Sequence, residues 1–175
     1  MKTYFALICR TLLIIPTLIC LMSFVPNEQK DSVVDVLNKR TGEQLAELKQ
    51  VTGYQVESFK DEKGYLAIKI IFNQTTLPHN KYSKAFSRSA KTPMRNISSS
   101  LLSFLGTDVS ILVYAKAGSN STTANALRNY FIKNGIKAKR IKAQGINSTS
   151  GGRIEILIKV SQKMIQDVQN GISID

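Results

Sequence analysis

The chain has 175 residues, a length that suits one domain with a short appendage and excludes two large domains with separate cores. Hydrophobic residues make up 43% of it and charged residues 21%, a composition that excludes disordered and fibrous proteins. Lys and Arg number 24 against 12 Asp and Glu, which gives a formal net charge of +12. Between Lys63 and Ile154 there are fifteen basic residues and one acid, Asp108. This imbalance predicts a positive surface that favours a polyanion, whether nucleic acid, anionic lipid or an acidic cell-wall polymer.

Cysteine and histidine are too scarce in this sequence for most kinds of catalytic or metal site. Both cysteines, Cys9 and Cys20, lie in the first twenty residues, and His79 is the single histidine. This distribution argues against disulfide scaffolds, thiol catalysis and metal clusters built on Cys or His. The two acids near the presumed cleft, Asp108 and Glu155, do not make a paired acid and base. We therefore expect no enzyme activity, no metal and no cofactor.

Residues 1–25 are typical of a signal sequence or membrane anchor. Two basic residues precede an apolar run, Thr11–Val25, that is interrupted by Pro16 and is short for a bilayer span. Cleavage near Ser23, lipidation at Cys20 and retention of the whole segment all remain open from the sequence. Cleavage near Ser23 would release a soluble secreted protein, whereas lipidation at Cys20 or retention of the segment would hold the chain at a membrane of the bacterial cell envelope.

The next segments predict a helical region and then a hairpin. Residues 26–50 are polar with spaced apolar positions, which predicts a spacer of one or two short helices broken at Thr41-Gly42. Alternating patterns over 54–59 and 65–72, joined by a polar turn, predict a β-hairpin. The polar, basic stretch 73–92 predicts a loop with one turn of helix.

A helix, a strand and a second helix are predicted next. The first helix starts at Pro93 and carries Ile97, Leu101, Phe104 and Leu105 at helical spacing. The apolar run 109–115 is typical of a central strand covered on both faces. A helix over 121–134 places Ala124, Leu127 and Phe131 on one side and ends at the capping pair Asn134-Gly135.

The remaining chain predicts two more extended segments and a short final helix. Residues 136–144 form a basic extended segment, and 153–160 alternate like a half-buried strand. Ser161 begins a C-terminal tail, 161–175, with one short helix. The basic run 137–142 has no aromatic residues of the kind that stack on bases, so no nucleic-acid partner is expected. Together, these elements predict an α+β fold, a mixed β-sheet with helices packed on one face.

Three segments of this pattern resemble a known domain. They are the strand Ile111–Ala115 (ILVYA), the helix and loop Ala126–Gly145, and the closing segment Gly152–Ile156 (GRIEI). Together they resemble the peptidoglycan-binding domain shared by OmpA-like and MotB-like proteins. The strand at 64–70 and the helix at 93–105 take the places of that family's first strand and helix. The resemblance implies an OmpA-like domain over residues 51–160, with the element order β/α/β/α/β-β.

The resemblance also implies where a ligand would bind, and there the sequence departs from the family. In the family an Asp in the turn after the second strand and an Arg early in the next helix hold the diaminopimelate of the wall peptide. Here the Asp position falls on Ala117 or Gly118 and the Arg position on Thr123. Loss of both charges predicts a degenerate site that binds peptidoglycan weakly at most. A residual anion or wall-peptide site is expected at the ends of these elements, formed by Lys116, Asn120, Ser121, Thr123 and Arg153.

The leading functional hypothesis is a non-enzymatic structural or anchoring protein of the cell envelope, facing the periplasm and associated with the outer membrane. Its expected partners are other envelope proteins or subunits of a secretion complex. The OmpA-like outer-membrane subunit of a type IVB (Dot/Icm) secretion system is one candidate. The alternative is a basic domain that binds anionic lipid or lipopolysaccharide, with binding that weakens steeply with salt.

Overall fold

The structure of the protein, a computed structural model, describes residues 32–73, 88–149 and 152–173. Within these ranges the chain forms four α-helices, one short 3-10 helix and five strands. The α-helices are α1 (Val33–Val51), α2 (Arg88–Ser103), α3 (Ser119–Lys133) and α4 (Gln162–Gln169). The strands are β1 (Gln55–Lys60), β2 (Leu66–Asn73), β3 (Thr107–Ala115), β4 (Ile141–Asn147) and β5 (Arg153–Val160), and the 3-10 helix Ala138–Arg140 precedes β4.

The five strands form one mixed sheet in the order β1-β2-β5-β3-β4. Neighbouring strands are antiparallel except β3 and β4, which run parallel and are joined through α3. From β2 onward the order of elements is β/α/β/α/β-β, as the sequence predicts, and β1 extends the sheet at one edge. The α+β fold with helices packed on one face of a mixed sheet is therefore confirmed.

One face of the sheet and the inner sides of the helices make the main core. The register aligns apolar residues of three strands in rows across the sheet, so that Ile156 of β5 stands between Ile70 of β2 and Ile111 of β3. Ile97 and Leu101 of α2 and Leu127 and Phe131 of α3 lie in the same cluster with no solvent exposure. Burial of each such side chain contributes about 1.5 to 3 kcal/mol, so this layer is the main source of stability.

Helix α1 is continuous, so the break predicted at Thr41-Gly42 is wrong. The Thr41 hydroxyl donates to the Leu37 carbonyl at 2.9 Å, a bond that the helix accommodates. Leu37 and Leu48 are fully buried, and the helix contacts α2, α4 and the β1–β2 hairpin. The sequence predicts a spacer up to residue 50, whereas residues from 32 onward belong to the same compact unit as the sheet.

Helix α2 begins at Arg88, five residues before the predicted start at Pro93, which lies inside the helix. Ile97 and Leu101 are buried as predicted, but Leu105 is 64% exposed and Phe104 is half-buried. Both of these residues follow the end of the helix at Ser103, so the helical spacing no longer directs them to the core. Most of the loop predicted over 73–92 lies outside the described residues.

Strand β3 occupies an interior position between β5 and β4, as predicted, but only one of its faces is fully buried. Val109, Ile111 and Val113 face the helices, while Leu112 and Tyr114 on the opposite face remain partly exposed. The prediction of a strand covered on both faces is therefore wrong. The apolar residues of the second face form a mixed surface with charged neighbours instead of a second core.

Strand β4 starts at Ile141, five residues after the predicted start of the extended segment. The intervening residues include the 3-10 helix, whose last residue, Arg140, is buried rather than part of a basic surface. Helix α3 ends as predicted, and Gly135 follows it with φ of 97°. Helix α4 begins as predicted, and the Ser161 hydroxyl accepts from the Met164 amide at 3.1 Å. Strand β5 covers the predicted residues 153–160.

The predicted signal or anchor segment, with Cys20, lies outside the described residues. Among the residues that the structure does describe, no helix combines the length and apolarity needed to cross a bilayer. The division of the chain into an anchor over 1–25 and a domain thus stays a prediction.

Candidate functional site

The candidate site lies where β3 ends and α3 begins, at the loop Lys116–Gly118. The chain leaves the sheet after Ala115 and turns at Gly118, whose φ of 84° favours glycine. Lys116, Ala117 and Gly118 are all exposed. An open cavity of about 660 Å³ beside the loop is lined by Lys116 and Ala117 together with Asn147, Ser148 and Thr149. One cation and neutral groups therefore make up this surface.

Asn120 is the organising residue of the site and is 3% exposed. Its side-chain amide donates to the Asn147 side-chain oxygen at 2.8 Å, and its own oxygen accepts from the Ser121 amide at 2.7 Å. The first bond ties the start of α3 to the end of β4, and the second satisfies an amide in the first turn of the helix. Asn120 thus has a structural role that occupies both ends of its side chain.

Gly145 allows α3 to approach β4 closely at this point. A Cβ on Gly145 would lie 2.5 Å from the Ser121 backbone nitrogen and 2.8 Å from the Asn120 carbonyl carbon, both backbone atoms that cannot move aside easily. The start of α3 is therefore packed directly on the strand. A side chain at residue 145 would push the helix and the candidate loop away from the sheet.

The first amides of α3 already have partners inside the protein. The Ser119 and Asn120 amides donate to the Lys116 carbonyl at 3.2 and 3.3 Å, and the Ser121 amide is bonded to Asn120 as described above. Free backbone amides at a helix N-terminus can bind an anion, which is the physical basis of the residual anion site expected here. These three bonds make such a site less favourable, because a bound anion would have to compete with them.

Thr123, at the position of the family's Arg, is 1% exposed. Its side chain lies among the residues that α3 buries against the sheet, with Ala124 and Leu127 as neighbours on the same helix. A longer cationic side chain at 123 would have to leave this buried environment to reach the loop. Of the predicted site residues, the structure brings Lys116, Asn120 and Ser121 together and places Thr123 beneath them.

Arg153 lies at the same end of the sheet but on the opposite face. It forms an ion pair with Glu155, and its guanidinium lies 5.1 Å from the centre of the Tyr114 ring. The Glu155 side chain is only 6% exposed, and the Tyr114 hydroxyl donates to its second oxygen at 3.4 Å. Residues Arg153 and Glu155 alternate with Ile154, which faces the helices, so Arg153 points away from α3.

Two residues at this end of the sheet, Asn147 and Tyr114, were not singled out from the sequence, and Glu155 was considered there only as a possible catalytic acid. Tyr114 and Arg153 are cross-strand partners in the register of β3 and β5, a fact that the sequence alone does not supply. The alternation of 153 and 155 along one strand does predict that they share a face. The pairing of Asn120 with Asn147 joins residues 27 positions apart and has no local sequence signal.

The chemistry available at the loop is hydrogen bonding with one positive charge. The residues that line its cavity include no carboxylate to accept from an ammonium group. In the three described ranges of the chain, no group of three or more His, Cys, Asp or Glu side chains is placed to hold a metal ion. Such a surface can contact a polar or anionic partner but offers nothing that matches an amino acid with both charges.

Comparison with solved structures finds the same fold in proteins of low sequence identity. A MotB-like protein from Desulfovibrio vulgaris matches with 11% identity and a TM-score of 0.58, over 74% of this chain and 97% of that one. The periplasmic domain of Helicobacter pylori MotB matches with 11% identity and a TM-score of 0.50, over 70% of this chain and 88% of that one. The fold is therefore that of OmpA/MotB-like domains, as the sequence resemblance implies. Neither a model of a protein family nor a curated protein matches the sequence.

Proposed function

We propose that this chain is a non-enzymatic structural or anchoring component of the bacterial cell envelope that faces the periplasm and binds peptidoglycan weakly at most. The observation that carries the proposal is the replacement of both ligand-holding charges: Ala117 or Gly118 stands for the Asp, and buried Thr123 for the Arg. The fold shared with a periplasmic domain of MotB supports the location.

Diaminopimelate, the ligand that the resemblance implies, carries both ammonium and carboxylate groups. A carboxylate and a guanidinium in the site would pair with these two groups by charge-assisted hydrogen bonds. Removing one partner from a desolvated ion pair costs about 3 to 5 kcal/mol, which is a loss of more than a hundredfold in affinity. Lys116, Asn120 and Ser121 would retain, at most, a contact with an anionic group, and Arg153 would not join them.

The proposed partners are other proteins of the envelope. A domain that keeps the fold and lacks the ligand-holding charges suits a subunit of a larger assembly associated with the outer membrane, such as a secretion complex of the Dot/Icm type. Residues 1–25 would hold the chain at a membrane, either as an uncleaved anchor or through a lipid on Cys20.

Sedimentation of the full chain with purified sacculi tests the proposal. We expect little co-sedimentation, and none that free diaminopimelate competes away. Ala117→Asp restores a carboxylate to the loop, and Ala138→Asp adds the same charge at the other end of the sheet as a matched control. Neither substitution should create binding, because the partner charge at 123 is still absent. Binding of the unchanged protein that diaminopimelate displaces would contradict the proposal.

The attachment to the membrane is tested separately by the intact mass of the protein isolated from a bacterial envelope. Lipidation at Cys20, cleavage near Ser23 and retention of Met1 give three different masses. Cys20→Ser should abolish the lipidated mass if that route is used and leave the other two unchanged. Binding to phosphatidylglycerol vesicles by a chain without residues 1–25, lost at high salt, would favour the lipid-binding alternative over a structural role.

A further inference from the structure

A second cavity lies at the opposite end of the sheet from the candidate site, where β3 begins and β5 ends. Its volume is about 490 Å³, which is within the range of ligand-binding clefts. The strand β3 separates it from Lys116, and eight residue steps at about 3.3 Å each make that separation roughly 25 Å. The two cavities are therefore independent, and what binds at one is not explained by the other.

The charge around this cavity is strongly positive. Five cations line it: Arg40, Lys137, Lys139, Arg140 and Lys163. The lining acids are two, and one of them, Asp167, is already paired with Lys163 at 2.6 Å. Asp108, which is exposed, is left to balance the other four cations. Within the described parts of the chain, the cavity thus carries an uncompensated charge that attracts anions.

Arg140 is a fixed cation at the base of the cavity, with 8% of its surface exposed. Its guanidinium donates to the Thr107, Leu101 and Phe104 carbonyls at 2.7 to 3.0 Å and to the Thr107 hydroxyl at 2.8 Å. All of these acceptors are neutral, so the hydrogen bonds hold the group in place and leave its charge unpaired. Burial lowers the pKa of Arg140, while Asp108 acts in the opposite direction.

Arg40 contributes a guanidinium with an unused donor. Its Nε atom is buried and has no hydrogen-bond partner in the described part of the chain. The guanidinium lies 5.7 Å from the centre of the Phe104 ring, a contact that orients it without neutralising its charge. A buried donor without a partner costs about 1 to 3 kcal/mol, and an acceptor in the cavity could satisfy it only after the Arg40 side chain turns, because the Nε atom itself is closed to solvent.

The cavity also has an apolar side. Leu105, at its rim, is 64% exposed although it is a large hydrophobic residue. Gly106 follows it, and the Met164 side chain packs so close to Gly106 that a Cβ there would lie 2.1 Å from the sulfur. Cations and an exposed apolar side chain in the same cavity favour a ligand with both an acidic and an apolar group, which a phosphate ion alone does not provide.

We propose that this cavity binds an acidic peptide segment of a partner protein, with a carboxylate near Arg40 and Arg140 and an adjacent apolar side chain against Leu105. The proposal does not depend on the weak peptidoglycan binding proposed above, since it concerns the other end of the sheet. It supplies the domain with a specific way to hold a neighbouring subunit.

Nuclear magnetic resonance of the ¹⁵N-labelled full chain, kept in solution by a zwitterionic detergent, tests the proposal with three short blocked peptides. The probe alternates Glu and Leu, the neutral control replaces each Glu by Gln, and the polar control replaces each Leu by Ser. We expect shifts of the amides of Gly106, Ser161 and Met164 with the probe, at least fivefold weaker binding of both controls, and steep weakening with salt.

Matched substitutions locate the binding. Lys137→Gln with Lys139→Gln removes two exposed cations of the cavity, and Lys60→Gln with Lys142→Gln removes two exposed cations elsewhere. The first pair should weaken probe binding about fivefold to tenfold, and the second should leave it within about twofold. Arg40→Gln is expected to weaken it further, and the Lys pair keeps the test valid if Arg40→Gln impairs folding.

Three results would overturn the proposal. One is equal binding of the probe and its Gln control. Another is a set of shifts centred on Lys116 and Asn147 instead of Gly106. The third is an absence of peptide binding together with shifts of the cavity amides on adding phosphatidylglycerol vesicles, which would assign the cations to a lipid surface.

Discussion

The two ends of the sheet are both held by long-range side-chain bonds, but with opposite electrostatics. At the end where β3 finishes, neutral Asn120 and Asn147 join helix and strand, and glycine at 145 lets them touch. At the end where β3 starts, the charged Arg140 joins α2, β3 and the segment before β4 through four hydrogen bonds. The end where the sequence resemblance places a ligand is a neutral joint, and the cavity lined by five cations and two acids lies at the other end.

The net charge at each end depends on how the cations are paired as well as on where they lie. Arg153, which with Lys116 is an exposed cation at the neutral end, is paired with Glu155, so it adds little net field there. Arg140 is more deeply buried, yet its partners are carbonyls, so its charge still acts on the cavity beside it. Counting basic residues along the sequence does not distinguish these two cases, whereas their hydrogen-bond partners do.

The largest expected effect is at the charged end. Arg140→Ala removes four hydrogen bonds and leaves the Leu101, Phe104 and Thr107 carbonyls without this partner, so we expect a loss of about 3 kcal/mol in the free energy of unfolding. Urea denaturation measures it. Lys139→Ala, next to it but exposed, is the control and should change stability by less than about 0.5 kcal/mol. Equal effects of the two substitutions would show that Arg140 does not join the elements as described.

A smaller effect is expected where the neutral end is packed. Gly145→Ala places a Cβ against the backbone at the start of α3 and should cost about 2 kcal/mol. Gly42→Ala is a control of opposite sign, because Gly42 lies inside α1 with nothing within 4 Å of a Cβ. That change should stabilise the protein by about 0.5 to 1 kcal/mol. A neutral or stabilising Gly145→Ala would mean that the helix does not touch the strand there.

The hydrogen bonds of the neutral joint should contribute less than the packing. Asn120→Ala removes the bond to Asn147 and the bond to the Ser121 amide, and we expect a loss of about 1 kcal/mol. Asn120→Asp keeps the size of the side chain nearly unchanged and adds a negative charge. Its carboxylate can still accept from the Ser121 amide, and a negative charge is favourable at a helix N-terminus. Thermal denaturation of both variants distinguishes the two contributions. If Asn120→Ala were as costly as Arg140→Ala, the contrast between the ends would fail.

The smallest expected effect is on the pH dependence of stability at high pH, and it comes from Tyr54 at the neutral end. Burial raises the pKa of Tyr54, whose ring stacks on Phe72 with centroids 4.8 Å apart. The unfolded chain therefore loses this proton at a lower pH than the folded protein, and the stability contributed by Tyr54 is lost as the pH rises above about 10. Tyr54→Phe should reduce the fall in stability between pH 9 and 11, measured by urea denaturation. An unchanged slope would mean that Tyr54 does not titrate in this way.

The order and type of the elements from the hairpin onward were predictable because their patterns are local. Alternation at 153–160 and helical spacing of Ala124, Leu127 and Phe131 depend on one face being buried, whatever the partner. The misplaced boundaries have tertiary causes. Pro93 marks a helix start in the sequence, but the helix extends from Arg88, and α1 passes through Thr41-Gly42 because its buried side is held by the rest of the domain.

The bonding of the candidate site residues was not predictable from the sequence. The resemblance identified the loop at 116–118 and the start of α3, because those follow from the order of elements. It could not show that Asn120 is engaged by Asn147, or that Arg153 faces away toward Glu155, since both depend on pairing between distant strands. The buried Arg140 was likewise indistinguishable from its exposed lysine neighbours in a basic run.

The edges of the sheet also constrain how this domain joins others. Strand β1, at one edge, carries Glu57 and Lys60, and strand β4, at the other, carries Lys142, all with exposed side chains. Charged residues on edge strands oppose the addition of a further strand from another chain. Copies of this domain, or their neighbours, would therefore be joined by side-chain surfaces and not by a sheet that continues from one molecule to the next.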